Sequence, residues 1–169
     1  MADDAFTYEV EVDEWTPLMS ELSGRQLRSA WKSGIRPSAK TIERGVLAQL
    51  DQKHPAASKY RDEVRIKMFS GGFGYAVKLS QGQLSMDFNK RGQLVATSHL
   101  YILRWLTGGT AERYTKRGAR RGRIVGSHFF KQGVETTINP ALFRLGEDIT
   151  KSLQRAAARA RAKKSAPQK

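Results

Sequence analysis

The chain has 169 residues, of which 39% are hydrophobic and 27% charged; thirty Lys and Arg stand against sixteen Asp and Glu, a formal charge of +14. That length suits one domain with tails and a real core. The composition excludes a collagen-like or wholly disordered polymer, and the absence of cysteine excludes disulfides, thiolate zinc sites and a cysteine nucleophile. No run approaches the ~18 apolar residues of a membrane span.

The charge is unevenly placed. Between Met1 and Glu14 lie six acids and no base, whereas Arg104–Lys131 carries eight bases and one acid, and Lys151–Lys169 seven bases and no acid. An anionic partner is expected, whether nucleic acid, an acidic protein surface or the acidic end of another copy.

In chain order, Phe6, Tyr8, Val10 and Val12 alternate with polar residues as in a half-buried strand. The start lacks the basic and apolar regions of a secretory signal, so none is expected. Thr16-Pro17 reads as a helix start, followed by an apolar face of Leu18, Leu22, Leu27, Ala30 and Trp31 that Ser23-Gly24 could split. Gly34 to Pro37 predicts its end. Ser38 then caps a second helix whose Ile42, Val46 and Leu50 share one face, until His54-Pro55.

Three alternating sets follow: Val64, Ile66 and Met68; Tyr75, Val77 and Leu79; Leu84, Met86 and Phe88. Glycine turns separate them, which predicts a three-stranded antiparallel meander covered on one face by the helices. The fold class is therefore α+β, a small sheet packed against several helices. An apolar stretch, Leu100-Tyr101-Ile102-Leu103 and then Trp105-Leu106, predicts a short helix stopped by Gly108-Gly109.

From Thr107 to Ser127 there is no apolar period, so a long basic loop is expected, of the kind that carries function when it sits in a compact domain. Ser127 is read as the cap of a helix bearing Phe129, Phe130 and Val134, and Asn139-Pro140 as the opening of another bearing Leu142, Leu145, Ile149 and Leu153. The single domain is expected to span 1–158, with 159–169 a basic, mobile tail.

Little in the sequence points to catalysis. His54, His99 and His128 lack metal-pair spacing, the Gly71 to Gly74 stretch joins two strands rather than opening a helix, and no nucleophile elbow is present. No enzyme, cofactor or metal is expected; a nuclease has only the basic charge in its favour. The loop bases Arg113, Lys116, Arg117, Arg120, Arg121 and Arg123 could neutralise phosphates without reading sequence. Trp105, Phe129 and Phe130 are core-packing or interface residues.

The order of motifs resembles the "gene product ten" family of tailed-phage morphogenesis proteins. The similarity rests on Trp105-Leu106-Thr107-Gly108-Gly109-Thr110, the basic glycine-containing loop, Gly126-Ser127-His128-Phe129-Phe130 and a long amphipathic C-terminal helix, and covers roughly Tyr75 to Leu153. The chain departs from the family pattern at His128, where a proline is usual, and at Gly108, where an acid is frequent. The resemblance implies a small α+β structural protein without a catalytic site, assembling as a ring, commonly six-fold, at the head-to-tail junction of a virion made in the host cytoplasm. Its implied partners are other copies, connector-side neck proteins and tail-tube proteins, with DNA passing through the channel and no membrane. Trp105, Thr107, Gly108, Gly109, Thr110, His128, Phe129 and Phe130 would then serve assembly. The competing expectation is a sequence-independent nucleic-acid-binding module acting through the loop from Arg113 to Arg123.

Overall fold

A computed structural model of the chain describes residues 15–69, 71, 73–80, 85–88, 92–97 and 99–165. The expected strand at Phe6 to Val12 and the turn at Gln81-Gly82 lie outside them. The fold is α+β, and two long antiparallel helices dominate it.

Helix α1 covers Trp15–Ser20 and α2 covers Gly24–Lys53. Thr16-Pro17 falls inside the first turn of α1. The split at Ser23-Gly24 is real, because Ser23 and Gln26 form a reciprocal cap: Ser23 Oγ accepts from the Gln26 amide at 3.4 Å and Gln26 Oε1 from the Ser23 amide at 2.9 Å.

The expected break between Gly34 and Pro37 does not occur; α2 runs through Pro37 for 30 residues, about 45 Å. Helix α4 covers Phe129–Ser165 and likewise runs through Pro140 where a new helix was expected to open. An internal proline costs a helix ~3 kcal/mol. Both prolines are exposed, and the residues beside them are tied to the opposite helix: the Ser38 hydroxyl donates to the Ala141 carbonyl at 2.9 Å. Burial along the seam thus holds each helix together across its local breaker.

That seam is made of small residues. Methyl groups built at Gly34 or Gly133 would fall 2.7 Å from the Ile149 Cα and 2.4 Å from the Val46 Cα respectively, so the two backbones are nearly in contact. Ser152 Oγ donates to the Ala30 carbonyl at 2.7 Å, and the Arg161 guanidinium holds Glu21 at 2.7 and 2.5 Å. The segment expected to fray after Ala158 is therefore helical through Ser165, with Ala160 buried.

A core lies at each end of this hairpin. One joins Trp15, Leu22 and Ala30 to Ile149, Leu153 and Ala160, with the Trp15 indole donating to Thr150 Oγ1 at 2.8 Å. The other joins Val46 and Leu50 to Ala57, Val64, Leu103 and Phe129.

Between the helices the chain makes a 3-10 segment, Pro55–Glu63, and strands β1 (Val64–Met68) and β2 (Tyr75–Leu79), paired antiparallel from Val64 opposite Leu79 to Met68 opposite Tyr75. Among the described residues the three-stranded meander is not formed. Strand β3 (Ser85–Phe88) pairs with β4 (Leu94–Thr97), Ser85 opposite Thr97, in a separate two-stranded sheet. The Leu94 to Thr97 run supplies β3 with a partner just beyond Gly92, whose φ of 72° suits a turn. Helix α3 covers Leu100–Gly108, as the apolar run predicts.

Candidate functional site

The segment from Thr107 to Ser127, expected to be structureless, contains a short hairpin. Strand β5 (Arg113–Tyr114) pairs antiparallel with β6 (Arg120–Gly122), Arg113 opposite Gly122. Arginine-rich and glycine-rich residues give no alternating signal, so the pairing is held by backbone groups instead. The Thr115 amide donates to the Ala119 carbonyl at 2.8 Å, the Gly118 amide returns to the Thr115 carbonyl at 2.9 Å, and Gly118 turns with φ 78°.

The base of the hairpin is a clamp made from the two ends of the segment. Gly109 closes α3 with φ 78°, its amide donating to the Trp105 carbonyl at 2.7 Å. The Thr110 amide donates to the Ile124 carbonyl at 2.9 Å, and Thr110 Oγ1 accepts from the Ile124 amide at 3.0 Å. The backbones touch here: a methyl on Gly109 would lie 2.8 Å from the Gly126 nitrogen, and one on Gly126 would lie 2.6 Å from the Gly108 carbonyl carbon. Only glycine permits that approach. Two further bonds extend it, from the Ser127 amide to the Leu106 carbonyl at 2.8 Å and from the His128 amide to the Thr107 carbonyl at 3.1 Å.

Ser127 does not cap α4. Its hydroxyl donates to the Leu106 carbonyl at 2.9 Å and lies 2.7 Å from His54 Nε2, a contact that presents the imidazole Nε2–H to Ser127 Oγ. The residue before the helix is His128, with φ 52°. Lys53 donates to the Ser127 carbonyl at 3.1 Å and also meets Gln132. Burial, reinforced by neighbouring Lys53, holds the His54 imidazole below its ordinary pKa. Thus α2, through Lys53 and His54, grips the end of the loop and the start of α4 together. This tie has no signature in the sequence, since its partners are more than seventy positions apart.

The structure brings Thr107, Gly108, Gly109, Thr110 and His128 together in or beside the clamp. Thr107 Oγ1 also donates back to the Leu103 carbonyl at 2.8 Å. Phe129 is fully buried in the second core and edge-on to His54 at 6.1 Å; Phe130 is half-buried against the same core. Phe129 is thus support, whereas Phe130 supports the core and keeps part of its ring at the surface. Trp105 is 37% exposed, edge-on to Tyr101 at 4.8 Å, with the Arg113 guanidinium 5.7 Å above its ring.

All six loop bases are exposed. Arg120 pairs with Glu112, which also accepts from the Tyr114 hydroxyl at 2.9 Å, and Arg113 covers Trp105. Lys116, Arg117, Arg121 and Arg123 make no ion pair with a described residue. What projects is therefore an ordered arm with four outward cations on a base of two edge-on aromatics, Tyr101 and Trp105.

Among the described residues no group of three His, Asp or Glu could hold a metal ion, and no helix is long and apolar enough to cross a membrane. No family model, curated protein or solved structure matches the chain.

Proposed function

We propose that the protein is a structural subunit of the head-to-tail connection of a tailed virus, acting as a neck, tail-completion or tail-terminator ring component, without catalysis. The observation that carries this reading is the clamp. The two short segments on which the family resemblance rests, Trp105 to Thr110 and Gly126 to Phe130, meet across the base of one projecting arm. Residues chosen for that meeting are spent on aiming an arm, which suits a contact between subunits better than a pocket for a small substrate.

A ring needs one surface of a subunit to meet a different surface of the next. The arm supplies a basic, aromatic-based knob, and the acidic Met1 to Glu14 segment supplies unlike charge for a neighbour to offer it. The partners would be copies of this chain and the adjoining connector and tail-tube proteins, in the virion at the head-tail junction.

Light scattering with negative-stain imaging tests the proposal at several protein and salt concentrations. The expected result is a discrete closed particle, about 114 kDa for six copies of a 19.0 kDa chain, weakened by salt. A chain that stays monomeric at high concentration and joins neither a neck nor a tail-tube protein overturns it. A second reading, the arm as a nucleic-acid contact, is favoured by its four cations that pair with no described carboxylate. Loss of duplex binding on changing Lys116, Arg117, Arg121 and Arg123 to Gln would support it, and unchanged binding would reject it.

A further inference from the structure

A second concentration of positive charge lies away from the arm. Arg25, Arg28, Lys32, Arg36, Lys40 and Arg44 recur at spacings of three and four along α2, a single ridge of about 28 Å. Five are exposed and Lys32 is half-exposed; none pairs with a carboxylate of a described residue. The ridge was obscured in the sequence by the apparent helix break at Pro37, which cuts it in two.

The surrounding surface extends the ridge. A trough between α2 and β1 is lined by Lys32, Arg36, Lys40 and Arg65, with Glu43 the one acid in it. Lys32 also borders a hollow shared with Arg25, Arg28 and Ser29. Ser29 in turn borders the groove between α2 and α4, whose far wall carries Arg155, Arg159 and Lys163. The hollows share walls, so the cations form one continuous face across two helices.

We infer that this face of α2 and α4 binds the phosphodiester backbone of duplex nucleic acid without reading its sequence. Two rows of cations on helices whose axes lie roughly 8–10 Å apart can address both strands beside a groove. Interleaved with the ridge stand Ser29, Ser33, Pro37 and Thr41, none of them a large apolar or aromatic side chain. The ridge thus lacks the apolar anchor that an energetic protein contact requires. Nor does the face offer the row of aromatic platforms that holds single strands: the one aromatic in the trough, Tyr75, is half-buried and directs its hydroxyl at the Lys32 carbonyl, 3.4 Å away. The inference does not rest on the ring proposal, since a monomer presents the whole face.

The test is the salt dependence of binding to a short mixed-sequence DNA duplex, read by fluorescence anisotropy. Each neutralised phosphate contributes about −0.9 to the slope of log K against log salt. If the six α2 cations each meet a phosphate, affinity falls roughly 10³-fold between about 50 and 200 mM salt. The triple variant Arg28→Gln, Lys32→Gln, Arg36→Gln should lose only roughly 40-fold over that range, a slope shallower by about 2.7, and bind more weakly throughout. The comparison protein carries Arg117→Gln, Arg120→Gln and Arg121→Gln, the same loss of charge on the arm, and should keep the wild-type slope; circular dichroism establishes that both are folded. Equal effects of the two variants would mean a response to net charge and overturn the inference. So would an α2 variant that dissociates an oligomer while binding DNA as before, because the face would then belong to a subunit contact.

Discussion

Replacing Gly133 by alanine puts a methyl group where α2 and α4 come closest. The new carbon would lie 2.4 Å from the Val46 Cα, 2.7 Å from the Val46 nitrogen and 2.8 Å from the Gly45 carbonyl oxygen. All three atoms belong to backbone, so no side chain can turn aside. Ordinary contact begins near 3.4 Å, and α2 must therefore retreat by about 1 Å. A gap of that size forfeits a quarter to a half of each dispersion contact it opens, and it opens beside Val46 and Leu50, which have no exposed surface. Overpacking of this kind costs about 1–3 kcal/mol, here at the upper end. The helix gains about 1 kcal/mol from alanine over glycine. The net is a destabilisation of about 1–2 kcal/mol, a fall in Tm of roughly 2–8 °C for a chain of this size. Gly146, on the same helix, is the control: a methyl there meets nothing within 4 Å, so Gly146→Ala should raise Tm by about 1–4 °C. Calorimetric melting of both variants decides the matter. A Gly133→Ala protein that melts at or above wild type would refute the close approach.

Three other outcomes follow from the geometry. Gly109→Ala places a side chain at φ 78° and 2.8 Å from Gly126, so limited trypsin digestion should cut at Arg117 to Arg121 faster than in wild type while the Tm of the helical body changes little. Ser38→Ala removes the buried bond to the Ala141 carbonyl and should cost about 1 kcal/mol in urea unfolding, with an unchanged m-value. His54 has a lowered pKa in the folded state, so the unfolded chain binds the extra proton first. Stability should fall as pH drops through the ordinary value of 6.5, and His54→Gln should flatten Tm between pH 7.5 and 5.5.

The sequence reveals elements whose signal is local and hides those decided by a distant partner. Helix α3 was legible because Leu100 to Leu106 is apolar but for Arg104 and Gly109 ends it. Strands β1 and β2 were legible by their alternation. Alternation names a strand without naming its neighbour, so β3 was assigned to the wrong pair. The two long helices were each divided at a proline, because Pro37 and Pro140 break a helix in isolation and the seam that sustains them is a property of both chains of turns at once. The same error concealed the cationic ridge, whose spacing is regular only when Arg36 and Lys40 stand on one helix. The clamp was half legible: its glycines were marked as a stop and a motif, whereas the grip of Lys53 and His54 on Ser127 required the fold.

Pro37 and Pro140 stand at the same height on the helical hairpin, beside the Ser38 to Ala141 bond. Each lacks an amide hydrogen, so the carbonyls four residues earlier, at Ser33 and Thr136, lose their helical donor at one level of the rod. Its bending compliance is therefore concentrated midway between the two cores. Flexure there swings the end that carries the arm relative to the end that carries α1, like a wrist, while leaving each core intact. If the chain assembles as proposed, a subunit jointed in this way fits rings of slightly different pitch by adjusting one joint and not its packing.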